Sequence, residues 1–171
     1  MKKLLPALAL IPALALTPAL VFAADNPDED FFENAAQGGL AEVELGKLAQ
    51  QKGTSAAVKE FAAMMVKDHS MANDKLKALA TKKGVELPTK PGLTHMATKT
   101  KLEAFSGETF DKSYAKGMVE DHEDTIELFE KEVKNGKDAD AKALATATLP
   151  TLRTHLQHAK ALATKVGTKA D

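Results

Sequence analysis

The sequence has no cysteine, no tryptophan, a single tyrosine and a single arginine, Arg153. Without cysteine there is no disulfide, no thiol catalysis, no thiolate metal site and no lipidated N-terminal cysteine. Stability must come from an apolar core. Aromatic residues make up 5% of the chain, too few for a carbohydrate platform or a base-stacking surface. Positive charge is almost all lysine and forms no basic cluster, which argues against nucleic acid as a partner. Glycine and proline are confined to a few places. Between them the chain is rich in Ala, Lys, Leu and Glu, a composition that favours helix.

The one long apolar run lies at the start. After Met1-Lys2-Lys3 it extends from Leu4 to Ala23 and ends in the small-residue segment Val21-Phe22-Ala23-Ala24 before Asp25. Pro6, Pro12 and Pro18 would interrupt a spanning helix, and the small-residue end fits peptidase cleavage better than a stop-transfer flank. Residues 1–23 therefore read as a secretory signal peptide, cut after Ala23, with Ala24 as the second choice. The expected product is one exported, periplasmic domain, residues 24–171, with no membrane span. Loss of Lys2 and Lys3 moves its formal charge from −1 to −3.

Four long helices are expected within about residues 28–166. Asn26-Pro27-Asp28-Glu29-Asp30 places a polar cap, a first-turn proline and acids at the positive end of helix one, which runs to about Lys52 and is ended by Gly53. Thr54-Ser55 is the expected cap of helix two, whose stripe of Val58, Phe61, Met65, Ala72, Leu76 and Leu79 continues until Gly84. From Val85 to Gly107 the pattern breaks around Pro88, Pro91 and Gly92, with a short helix over Met96–Phe105. A crossover covering the bundle end is the expected path. Helix three runs from about Thr109 to Lys134, Asn135-Gly136 turns the chain, and helix four extends from near Asp138 to Gly167 with a kink at Pro150. Short, long and short connections make this an all-α, ferritin-like four-helix bundle with its long crossover between helices two and three. Gly38-Gly39 and Gly46 each weaken helix one by about 1 kcal/mol relative to alanine, which close packing against a neighbouring helix would explain.

Polar residues on apolar stripes are the anomaly. His69 lies on the stripe of Phe61, Met65, Ala72 and Leu76, His122 on that of Ala115, Val119, Ile126 and Phe129, and His155 on that of Leu152, Ala159 and Leu162. Glu42 shares the stripe of Ala35, Gly38, Leu45 and Ala49, and Glu44 faces away. All four sit near mid-helix, His155 about three residues beyond, a mismatch of roughly 4 to 5 Å. One carboxylate and three imidazoles therefore converge at one level. The phrase Val66-Lys67-Asp68-His69 returns as Val119-Glu120-Asp121-His122. Each Asp points about 100° from its His, placed to hold the second ring nitrogen of a histidine on a neighbouring helix. His158 is a reserve ligand or a surface residue.

Phe31-Phe32-Glu33-Asn34-Ala35-Ala36, Gly39-Leu40-Ala41-Glu42-Val43-Glu44-Leu45-Gly46, Asp68-His69-Ser70, Phe110-Asp111-Lys112-Ser113-Tyr114, Asp121-His122 and Leu149-Pro150-Thr151-Leu152-Arg153-Thr154-His155-Leu156 occur in that order. With these the chain resembles the ferritin-like bacterial family of domain of unknown function 4142, over roughly Asp30 to Val166. The resemblance implies a ferritin-like helical fold and export, and no activity. Di-iron ferritin-like proteins carry Glu-x-x-His on two helices. Here Val66, Val119 and Leu152 precede the histidines by three, which disfavours a di-iron oxidase.

The first reading of the centre is a buried hydrogen-bonded network, Asp68, Asp121 and Glu42 satisfying His69, His122 and His155 and fixing helix register in a non-enzymatic envelope protein. The alternative is a mononuclear metal site of Glu42, His69, His122 and His155 for one transition-metal ion: zinc, iron, copper or nickel. A further alternative is an envelope-stress or scaffold protein acting through its surface, the 85–107 connector included, on an unidentified protein partner. No nucleophile motif or phosphate-cradling loop supports a hydrolase or transferase.

Overall fold

The computed structural model describes residues 27–169; the signal-peptide reading, both candidate cleavage positions and the cap at Asn26 lie outside the described residues. The described chain is helical, with no strand: α1 (Pro27–Lys52), α2 (Ala56–Lys83), α3 (Leu93–Glu103), α4 (Gly107–Asn135) and α5 (Ala139–Lys165). Gly84 ends α2 in the left-handed region, φ 70°, which a side chain would strain. Pro150 leaves α5 unbroken. None of the described helices is long and apolar enough to cross a membrane.

Neighbouring long helices all run antiparallel. Gly46 abuts Val66 and the Ala62 carbonyl, and Gly53 abuts Val58, closing the α1–α2 hairpin. Glu123 pairs with Lys160 and Glu130 with Arg153 along α4–α5. Phe31 meets Phe129 across α1–α4, while Lys83 meets Asp138 where α2 ends and α5 begins. The four long helices thus occupy the corners of a square in the order α1, α2, α5, α4, with the parallel pairs on its diagonals.

This geometry corrects the expected path of the crossover. Because α2 and α4 run the same way, the chain leaving Lys83 must return the full length of the domain before α4 starts. It does so along the flank of α1, rather than over the domain's end: Gly92 lies against Gln37, Lys99 bonds Glu44 and the Lys52 amine donates to the Glu103 carbonyl.

The cap of α2 also differs from expectation. Ser55 makes no side-chain capping bond. Instead Asp111, buried on α4, accepts from the Thr54 and Ser55 amides at 3.0 and 2.8 Å and from the Thr54 hydroxyl at 2.7 Å. One carboxylate fastens the α1–α2 turn to α4. Asp111→Ala is expected to lower stability by about 1–3 kcal/mol, the range for leaving such donors without their acceptor, with Asp111→Asn recovering part of it in chemical denaturation.

Apolar packing divides in two. Leu45, Val58, Phe61, Met65, Phe110 and Met118 belong to a cluster at the Asp111 end. Phe31, Phe32, Leu76, Phe129, Leu149 and Leu152 belong to a second cluster at the other end. Between the two lies a slice of buried polar groups.

Candidate metal centre

That slice is made of Glu42 from α1, His69 from α2, His122 from α4 and His155 from α5, at most 6% exposed. Each stands on its helix's apolar stripe, so the packing that forms the core carries it inward. The three imidazole rings form a nearly equilateral triangle, with centroids 5.3 Å apart for His69–His155 and 5.5 Å for the other two pairs. One nitrogen from each histidine can be chosen so that all three lie within 4.8 Å of one another.

Two of the rings have their tautomers set. His122 Nδ1 donates to the Met118 carbonyl one turn back at 2.8 Å, which leaves Nε2 with its lone pair. His155 Nε2 lies 3.1 Å from Asp68 Oδ2 and donates to that carboxylate, leaving Nδ1 with the lone pair. Asp68 therefore reaches across helices as its position predicts. His122 Nε2, His155 Nδ1 and His69 Nε2 are buried, with no hydrogen-bond partner among the described residues.

Electrostatics keep these rings neutral. Burial, then the neighbouring His122 and His155, hold His69 down at about 3. His122 falls to about 4 through burial, partly offset by its bond to Met118. His155 is lowered by burial against the opposing pull of Asp68. Three unprotonated nitrogens are thus available as donors at neutral pH.

Glu42 stands beside this triangle. Its Oε1 lies 3.6 Å from His122 Nδ1, too far for a hydrogen bond, and its Oε2 is buried without a partner. Burial and the charge of Asp121 hold its carboxyl well above the usual range. Asp121 makes no bond to a histidine among the described residues, contrary to the expectation from its repeated phrase, and sits at about 6 through burial and the nearby Asp124 and Glu120. His158 is exposed, and Glu44 faces out to Lys99. Tyr114 is fully buried two turns before His122 with an unpartnered hydroxyl, at a stripe position that in sequence reads as ordinary core.

The sequence pattern of the domain of unknown function family DUF4142 matches residues 15–162. The chain belongs to this family. No curated protein matches it in sequence. Its fold is similar to that of a DUF305 protein from Streptomyces coelicolor, with TM-score 0.73 and 17% identity over 87% of this chain and 98% of that one. A DUF305 fragment from Deinococcus radiodurans aligns with TM-score 0.72 and 12% identity, over 81% and 96% of the two chains. CopM in its Cu(I)-bound form aligns with TM-score 0.67 and 13% identity, again over 81% and 96%. This DUF4142 chain thus shares its helical fold with DUF305 proteins and with CopM.

Proposed function

We propose that this DUF4142 protein is an exported, periplasmic four-helix bundle of ferritin-like connectivity that binds one transition-metal ion through His69, His122 and His155. The observations that carry this reading are that one nitrogen of each of three buried histidines lies within 4.8 Å of the other two, and that every one of these rings has a buried nitrogen without a hydrogen-bond partner. A network that only fixed helix register would satisfy its members. Here one Asp–His bond and one backbone bond orient two rings, and the third nitrogen of the set is left bare as well. Orienting the outer nitrogen of a ligand histidine is what carboxylates and carbonyls do around metals.

The donors fit. Metal–imidazole distances of about 2.0–2.1 Å require each nitrogen to move inward by less than about 1 Å. Neutral imidazole suits zinc, iron, copper and nickel, and the copper-bound forms of CopM, a protein of similar fold, make copper the first ion to test. Glu42 stays near the ligand sphere as a neutral acid. Binding is the activity proposed; nothing in the centre points to a turnover reaction.

Mature protein purified without an affinity tag or chelator is expected to carry close to one equivalent of metal by elemental analysis. A metal-free protein that also takes up no added copper, zinc, iron or nickel ends this reading.

A further inference from the structure

A cavity of about 60 Å³ adjoins the histidine triangle on the side toward Phe31 and Phe129. At roughly 10–15 Å³ per water it has room for about four to six molecules. His69, His155 and Glu42, each buried with an unpartnered polar atom, face it from the centre, and the hydroxyl-bearing Thr125, Thr148 and Thr151 line its walls. His122 is not among its lining residues.

One wall is Gly38, in the interior of α1. Glycine weakens a helix relative to alanine, and close packing is the ordinary reason for one in a helix interior. That explanation holds for Gly46, where a Cβ would come within 2.8 Å of Val66, and for Gly39, where it would come within 2.0 Å of the Asn73 side chain. It fails for Gly38: a Cβ there would meet nothing within 4 Å. The missing side chain leaves open space in the cavity wall.

We infer that the centre has an open coordination position facing this cavity, which admits a small exogenous donor, water at rest and a small anion in its place. The inference rests on the metal reading above. Three neutral imidazoles leave a divalent ion short of the four ligands it ordinarily takes, and the roomy side of the triangle, where three threonines stand among mostly apolar walls, is where the fourth approaches. The charge of a divalent ion draws a small anion to that position, the carboxylates near the centre being Asp68 on His155 and Asp121 beside Glu42. Gly38 acts by keeping the chamber clear; it touches no ligand itself.

The probe is azide added to Cu(II)-loaded protein. The expected result is a saturable azide-to-copper charge-transfer band. Gly38→Val is expected to load copper to the same stoichiometry but to bind azide at least tenfold more weakly. Gly38→Ala, which favours the helix, gives a smaller loss and guards against a valine variant that fails to fold. Copper loading with no azide band overturns the open position while leaving the metal reading intact. Unchanged azide affinity in both variants overturns the cavity as the ligand's chamber. Failure of the wild-type protein to load copper overturns the metal reading and this inference with it.

Discussion

Saturation with copper is expected to raise the unfolding temperature by about 8–16 °C, and His69→Leu, His122→Leu and His155→Leu are each expected to abolish the rise. An ion at a thousandfold its dissociation constant that binds only the folded state contributes about 4 kcal/mol, and each kcal/mol shifts a domain of this size by about 2–4 °C. The same variants without metal separate the two readings of the centre. No hydrogen bond to His69 is present among the described residues, and its Nε2 is desolvated without return. His69→Leu should therefore leave the metal-free protein as stable as before or more stable by about 1 kcal/mol, because an unpartnered buried acceptor costs about that much. A network that held the helices together predicts the opposite, a loss of about 1–3 kcal/mol. The three variants also differ. His155→Leu strands the Asp68 carboxylate and His122→Leu frees the Met118 carbonyl, so both lose more stability than His69→Leu. Equal destabilisation by all three, with no metal-dependent shift in the wild type, would return the centre to a purely structural role.

What the sequence makes legible here is what depends on residues one turn apart. Gly53 and Gly84 mark helix ends because only local backbone geometry is at stake, and the stripes carry His69, His122 and His155 inward because burial of a stripe is periodic. Their common level follows from helix centres and a rise of 1.5 Å per residue. Contacts between distant segments are another matter. Asp111 caps a turn 56 and 57 residues away, and no local pattern signals it. The crossover runs along α1 because of the direction of α4, which is a property of the assembled square. Gly38 and Gly39 look alike in sequence, yet a Cβ at Gly39 would meet Asn73 while one at Gly38 would meet nothing.

The two Asp-His phrases show the same limit from a different side. They lie on α2 and α4, parallel helices on one diagonal, so the same local geometry turns their aspartates toward different partners. Asp68 meets His155 on α5. By the same rotation Asp121 turns toward α1, where the residue at the centre's level is Glu42, and burial first, then the charge of Asp121, hold the Glu42 proton on. An acid cannot replace a ring nitrogen as the partner of a carboxylate unless it keeps its proton. The phrase repeats while the role does not, because the fourth corner of the slice carries a carboxyl in place of an imidazole.

At the opposite end of the domain, Glu132→Gln is expected to gain about 3 kcal/mol of stability relative to wild type between pH 4.5 and pH 8. Glu132 is 2% exposed on α4, against the Gly136 turn and beside Asp28 of α1, whose Oδ1 accepts from the Lys137 and Asp138 amides. Burial first, and then the Asp28 side chain, raise the Glu132 pKa from 4.5 to about 7. In the folded protein this acid keeps its proton through a range where the unfolded chain has released it. Its contribution is therefore fully present below pH 4.5 and is lost as pH rises through about 7. A span of 2.5 units at 1.36 kcal/mol each gives the magnitude. Glutamine resembles the protonated acid and does not titrate, so it removes the loss. The buried histidines act with the opposite sign: their lowered values make the folded state bind fewer protons, and stability falls as pH drops below about 6.5. The two trends oppose each other between pH 4.5 and 6.5 and flatten the wild-type curve there. The difference between variant and wild type cancels the histidine contribution and isolates Glu132. Urea unfolding of both proteins across this range should show curves that diverge with rising pH; parallel curves would mean that Glu132 is ionised in the folded protein at neutral pH.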